Sequence, residues 1–390
     1  SVKYFTMASN QNNAIAQCYL GLIYYEGKFA TRDINKSISY FTLAADQNNV
    51  KAQFNLGKIY YENTYIKRDI DKCIHYYTLA ADSNDVSAQF NLGKIYYNGE
   101  FVKRNINKAI HYFTLAANQN ASDAQNNLGA IYYNGNYVKR DIKKAIHYYT
   151  LSANQNDPYA QFNLGFIYHD GIYQTRDINK AIYYYTLSAN QNDMHAQFNL
   201  GFIYFEGKYI KKDINKAIHY WTMAAEQNNI RAQFNLGFIF YVGKFIERDM
   251  NKAIHYFTMA ANQKDSKAQY ILGLIYHDNK VYNNFLFYYN IINHNLENIK
   301  KSIHYFSLAA SQNNPEAQCI LGFFYTLGRY VERNVIKGID YFIQSSSNGN
   351  IDASFMVGFF YHEGKNVNKD IQKAINYYKN ASSFNNMYAK

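Results

Sequence analysis

Apolar residues fall in short blocks with helical spacing, and the blocks return at a fixed interval. In one block Ala88, Leu92, Ile95 and Tyr96 stand at i, i+4, i+7 and i+8, which a helix brings to one side. Counted at about 100° per residue, Phe90, Lys94 and Tyr97 point the other way. A second block, Ile106, Ala109, Ile110, Phe113 and Ala117, repeats the helical spacing. Gly99 between them suits the left-handed position just past a helix C-terminus, and Asn63 and Asn279 take that place in two other units. The second block opens on a residue suited to cap a helix N-terminus: Asp33, Asp69, Asn105, Asp141, Asp177, Asp213, Asp249, Asn298, Asn334 and Asp370. Each unit is therefore a predicted pair of helices joined by a short loop.

Leu-Gly recurs every 36 residues from Leu20-Gly21 to Leu272-Gly273, then at Leu321-Gly322 after 49 residues, with Val357-Gly358 36 later. That makes ten units with one insertion of 13 residues. The glycine lies inside the first helix, where it costs about 1 kcal/mol relative to Ala. Its return in every unit predicts close packing against a bulky neighbour. One helical pair cannot bury its apolar face, whereas stacked pairs cover one another. The pattern predicts an all-α solenoid of helix-turn-helix repeats, one continuous array over 1–390 with the insertion in 280–297. Ser1 aligns with Ser37 and Ala389 with Ala353, so both ends are expected to interrupt a repeat of a longer protein.

The motif L-G-x-I-Y-Y, a loop Gly, then D-I-x-K-A-I-x-Y-Y-x-x-A-A resembles the sel-1-like repeat family, relatives of the tetratricopeptide repeat, along essentially the whole chain. The resemblance implies a right-handed superhelix whose first helices line the concave wall. It also implies an adaptor that binds proteins, without naming one. The chain departs from the family where a second loop Gly is common, carrying Phe101, Tyr137 or Tyr209 instead.

Composition changes this picture little. With only two prolines, Pro158 and Pro315, long helices are unobstructed, and 42 tyrosines fit an A+T-rich coding bias as well as a function. The net charge of +11 is diffuse over 390 residues. Three irregularly spaced cysteines, Cys18, Cys73 and Cys319, form no disulfide framework and point to a reducing, cytoplasmic setting. No apolar run reaches the length of a membrane span, and no signal peptide is visible.

Several columns of residues are candidates for chemistry. His75, His111, His147, His219, His255 and His304 occupy one position per unit. Neighbouring helices about 8–10 Å apart cannot converge such a stripe on a metal, so a solvated face is expected. Lys67-Arg68, Lys103-Arg104, Lys139-Arg140 and Lys211-Lys212 precede the second helix, and Lys36, Lys72, Lys108, Lys144, Lys180, Lys216 and Lys252 lie in its first turn. Interleaved Asp residues favour an ion-paired edge over nucleic-acid binding.

The position after each Leu-Gly is the most varied on the first-helix face opposite the core. It reads Leu22, Lys58, Lys94, Ala130, Phe166, Phe202, Phe238, Leu274, Phe323 and Phe359. Phe166, Phe202 and Phe238 are expected to form an aromatic strip beside the basic pair Lys58 and Lys94, a candidate partner site. Asn163, Asn199 and Asn235 precede the Leu, where related peptide-binding arrays use Asn to hold a ligand backbone. Phe285, Phe287, Tyr288 and Tyr289 make the insertion too apolar for an ordinary exposed loop, so docking is expected there. No nucleophile-and-base set and no phosphate-binding loop occurs. The expected function is a protein-interaction scaffold without cofactor or metal, an architectural piece or an array fused to an enzyme domain being the alternatives.

Overall fold

A computed structural model describes residues 2–62, 64–277 and 296–385. All regular elements among them are helices, alternating first and second helix along the chain. In one repeat these are Val86–Asn98 and Ile106–Asn118. The chain divides into two compact units, Ser1–Ala196 and Gln197–Lys390. In each, a second helix packs against the first helix of its own repeat and of the next.

The helix ends follow from local chemistry. Asp33, Asp69, Asn105, Asp141, Asp177, Asp213, Asp249, Asn334 and Asp370 each accept the backbone N–H three residues on, so nine of the ten expected caps act as such. Asn298 does not. Its helix, Leu296–Ser311, begins two residues earlier and leaves Asn298 inside the first turn. The loop glycines, Gly99 among them, hold φ near +70° and close the first helix. Asn63 and Asn279 lie outside the described residues. The turn after the second helix has its own left-handed residue, Asn12, Asn48, Asn84, Asn120, Asn156, Asn192, Asn228 and Asn313 in eight such turns, with Lys264 in another. Asn tolerates that region better than other residues with a Cβ.

The glycine inside each first helix faces a ring of the second helix. A Cβ added at Gly93 would stand 2.6 Å from Phe113 Cδ1, and at Gly237 2.7 Å from Phe257 Cδ1. Tyr149, Tyr185 and Phe342 sit likewise over Gly129, Gly165 and Gly322. The only tryptophan in the sequence, Trp221, takes this place over Gly201 and donates its indole N–H to Phe198 O at 3.1 Å. Around each ring, Ala, Leu and Ile of the first helix and paired Ala of the second form the core, for example Ala88, Leu92, Ile95, Ala116 and Ala117. Tyr96 is half-buried rather than core. Phe90 and Tyr97, expected on the open face, pack their rings 5.8 and 6.4 Å from that of Phe113. Only Lys94 of that trio is fully exposed.

A column of buried glutamines ties the helices together. Gln89 Nε2 donates to Ala81 O of the preceding second helix at 3.1 Å, and Gln119 Nε2, just past its own second helix, donates to Gln89 Oε1 at 2.9 Å. The pairs Gln125/Gln155 and Gln161/Gln191 repeat this at 2.8 Å, and Gln197/Gln227, Gln233/Gln263 and Gln269/Gln312 at 2.7, 2.8 and 2.7 Å. In the second repeat Ser83 replaces the outer Gln, and Gln53 Oε1 is left buried without a partner among the described residues. Ser83 has nearly the backbone angles of Gln119, so a longer side chain fits the same turn. Ser83→Gln is expected to stabilise unit 1 by about 1 kcal/mol by supplying the missing donor. An unchanged urea midpoint for that variant would show that Gln53 is already satisfied.

Candidate interaction surface

The charges at the start of the second helix are held in fixed contacts. Its first-turn lysine lies 3.4–3.9 Å from the cap Asp in six repeats, for example Lys72 with Asp69. The same lysine sits 4.1–5.6 Å from the ring of a first-helix aromatic, as Lys72 over Tyr60 and Lys252 over Phe240. That ring stacks on a tyrosine of the second helix, Tyr60 on Tyr76 and Tyr96 on Tyr112, with centroids 5.9 and 6.0 Å apart. The backbone N–H of Lys72 holds the Asp69 carboxyl below its ordinary range, and that of Lys252 does so for Asp249. The lysine column is thus largely an ion-paired, ring-stacked edge.

The loop arginines are used in the same structural way. Arg140 donates from Nε to Tyr133 O at 2.8 Å and from Nη2 to Asn134 O at 2.9 Å, closing the end of the first helix. Its guanidinium carbon then stands 4.1 Å from the ring of Tyr173, in the loop of the next repeat. Arg32 over Tyr65, Arg68 over Phe101 and Arg104 over Tyr137 repeat the contact within unit 1, and Lys212 over Phe245 does so in unit 2. The aromatic that replaces the family's second loop Gly therefore receives the cation of the preceding repeat. Neither this ladder nor the glutamine column is apparent from one repeat in isolation. Their sequence signal is an aromatic or Gln recurring at one position in successive repeats.

His75, His111, His147, His219, His255 and His304 are all exposed, each edge-on to the tyrosine that follows it at 5.1–5.4 Å. Among the described residues no three His, Cys, Asp or Glu side chains come together as a metal site. Cys18, Cys73 and Cys319 are free and buried. Burial pushes the thiols of Cys73 and Cys319 up to about 12, so both stay protonated and unreactive at neutral pH.

Exposed apolar side chains stand on second helices, such as Leu43, Tyr183 and Ile336, and in loops, such as Phe29 and Ile172, but on the first-helix wall a phenylalanine recurs at one position, Phe166, Phe202, Phe238 and Phe359. In unit 1 successive first helices touch directly, Ala14–Glu26 against Val50–Tyr61 and that helix against Val86–Asn98. Phe166 is 39% exposed, with one edge against Tyr133 at 6.4 Å. Elsewhere in unit 1 a groove of about 400 Å³ crosses the first helices Val50–Tyr61, Val86–Asn98 and Ser122–Asn134, lined by Phe54, Val86, Phe90, Asn91, Ser122 and Asp123. Asn163 Nδ2 donates to Asn126 Oδ1 at 3.3 Å. Lys94 is exposed, 5.6 Å from the Phe90 ring. Lys58 is half-buried and 3.8 Å from Glu62, which also accepts the Tyr25 hydroxyl at 2.9 Å, so its charge is compensated. That hydrogen bond and burial push the Tyr25 phenol up to about 12, burial contributing most.

In unit 2, Phe202 is 40% and Phe238 45% exposed, and Phe238 stacks on Phe234 at 6.4 Å. Asn199 and Asn235 are half-buried beside them. The insertion residues Phe285, Phe287, Tyr288 and Tyr289 lie outside the described residues.

The Sel1 repeat model matches ten segments, 14–49, 50–85, 86–120, 122–157, 158–193, 195–229, 230–265, 296–314, 315–350 and 351–383. The chain belongs to the Sel1 repeat family. A crystal structure of a protective antigen from uropathogenic Escherichia coli strains, displaying this repeat fold, is 27% identical with a TM-score of 0.75, covering 98% of this chain and 79% of that one. A Sel1 repeat protein from Oxalobacter formigenes is also 27% identical, with a TM-score of 0.66, covering 87% of this chain and 93% of that one. No curated protein sequence matches. Sel1 arrays generally mediate protein–protein interaction, and this helical-repeat fold is typically non-catalytic. No helix among the described residues is long and apolar enough to cross a membrane.

Proposed function

We propose that this Sel1 array is a scaffold that holds a protein segment against its first-helix wall. The observation that carries the reading is one first-helix column of phenylalanines, Phe202, Phe238 and Phe359 in unit 2, each with two-fifths or more of its surface in water. Second-helix cations, by contrast, are committed to Asp caps and aromatic rings. Exposed apolar side chains at a repeated position mark an interaction surface. The half-buried Asn199 and Asn235 beside them, and within unit 1 Asn163 on the helix that carries Phe166, supply amide groups for a partner's backbone. The direct contact of successive first helices in unit 1 supports the concave placement of that wall there. Free buried thiols accord with a reducing, cytoplasmic setting.

The test is capture of partners by the full chain, identified by mass spectrometry and then measured with purified components. Phe202→Ala with Phe238→Ala is expected to weaken binding at least about tenfold, since a buried aromatic anchor is worth about 1–2 kcal/mol or more. Tyr183→Ala, on an exposed second helix, is expected to change nothing. Equal losses from both faces, or none from the phenylalanines, would remove the wall from the function.

A further inference from the structure

The first-helix wall of unit 2 carries an ordered pair of charge blocks beside its apolar positions. The second residue of each first helix is Arg231, Lys267, Glu316 and Asp352 in consecutive repeats. All four are exposed. Each stands seven residues before Phe238, Leu274, Phe323 or Phe359, a spacing that returns to the same helix face. Two cations are thus followed by two carboxylates along one edge. The ordering is physical as well as sequential. Burial chiefly, and after it Glu316, raises the Tyr270 phenol of the preceding repeat, and burial chiefly, then Asp352 and Glu316, raises the Cys319 thiol. Helix His277–Phe324 ring stacking at 5.5 Å shows that consecutive first helices meet here. Among the described residues none of the four is in an ion pair, unlike the Asp–Lys pairs of the second helices.

We propose that the segment held by this wall is itself bipolar: apolar side chains, with carboxylates at one end facing Arg231 and Lys267, and cations at the other facing Glu316 and Asp352. This rests on the reading that the wall binds a protein segment, and it adds the chemistry of that segment. Charge complementarity of this kind sets register and excludes segments of uniform charge. Neighbouring helices lie about 8–10 Å apart, and an extended chain advances about 3.3 Å per residue. The centres of the two charge blocks are two repeats apart, so the ligand's acidic and basic residues fall about six residues apart. A nucleic acid satisfies only the cationic half and is repelled by the other.

The experiment selects peptides from a displayed library of random 16-residue sequences against the full chain, and measures the enriched peptides by calorimetry. Enriched sequences are expected to place acidic and basic residues about six apart around apolar ones. Reversing Arg231 and Lys267 to Glu is expected to weaken them about tenfold at low salt, and changing the peptide's own acidic residues to Lys is expected to restore binding. Peptides lost on Phe238→Ala with Phe359→Ala but indifferent to the charge reversal would overturn the bipolar ligand and leave the wall standing. Enrichment of uniformly acidic peptides, or tight binding of a single-stranded oligonucleotide, would overturn it as well. No enriched peptide, or peptides indifferent to the phenylalanine changes, would remove the wall itself. Circular dichroism checks that each variant stays folded.

Discussion

Gly237→Ala is expected to destabilise unit 2 by about 2 kcal/mol, although Ala is the better helix former by about 1 kcal/mol. The two effects act in opposite directions, and distance decides between them. The new Cβ stands 2.7 Å from Phe257 Cδ1, 2.9 Å from Cε1 and 2.9 Å from Cγ, and the ring is fully buried among Ala253, Ala260 and Leu272. A buried ring cannot swing away, so the second helix must shift or the side chain must leave its rotamer, each costing about 1–3 kcal/mol. Trp221 belongs to the same core cluster, so its fluorescence follows this region through a urea titration. With Phe257→Leu in place the ring is gone. There the same Ala is expected to be neutral or stabilising, and a persistent loss would show that the glycine serves something other than the ring.

Gln233→Ala is the second large effect, also about 2 kcal/mol. The side chain is fully buried, donating to Ala225 O at 3.0 Å and accepting from Gln263 Nε2 at 2.8 Å. Each bond contributes about 1 kcal/mol net, and truncation adds a small cavity. Gln53→Ala removes a like side chain with only one such bond, to Ala45 O at 3.4 Å, and its outer partner is Ser83. It is expected to cost about 1 kcal/mol less, and equal losses would show that the Gln–Gln contact contributes nothing.

The parts of this fold that a single helix pair dictates were legible in the sequence. Glycine spacing, the cap residues and the Leu-Gly ring contact each depend on residues within one repeat, so periodicity exposed them. Asn298 does not cap because its helix already starts at Leu296, two residues earlier, and only the residue before a helix can cap it. What joins one repeat to the next was harder to read. Gln89 bonds across to Ala81 of the preceding repeat, and Arg140 crosses to Tyr173, so the purpose of each appears only when neighbouring repeats are placed side by side. Phe90 and Tyr97 were misjudged for a related reason. A 100° count assigns a face but does not see that Phe113, entering over Gly93, is wide enough to reach both. The wall residues Phe166, Phe202 and Phe238 stood out because variation at one column is visible without any structure. The compensation of Lys58 by Glu62 and Tyr25 was not, since Tyr25 comes from the neighbouring repeat.

The most direct test of the account is hydrogen exchange of the full chain with and without a captured partner. Backbone amides of the first helices Pro158–Asp170 and Ile230–Val242 are expected to gain protection, while those of the second helices Ile178–Asn190 and Met250–Asn262 stay unchanged. Protection confined to the second helices, with the first helices exchanging as before, would contradict it.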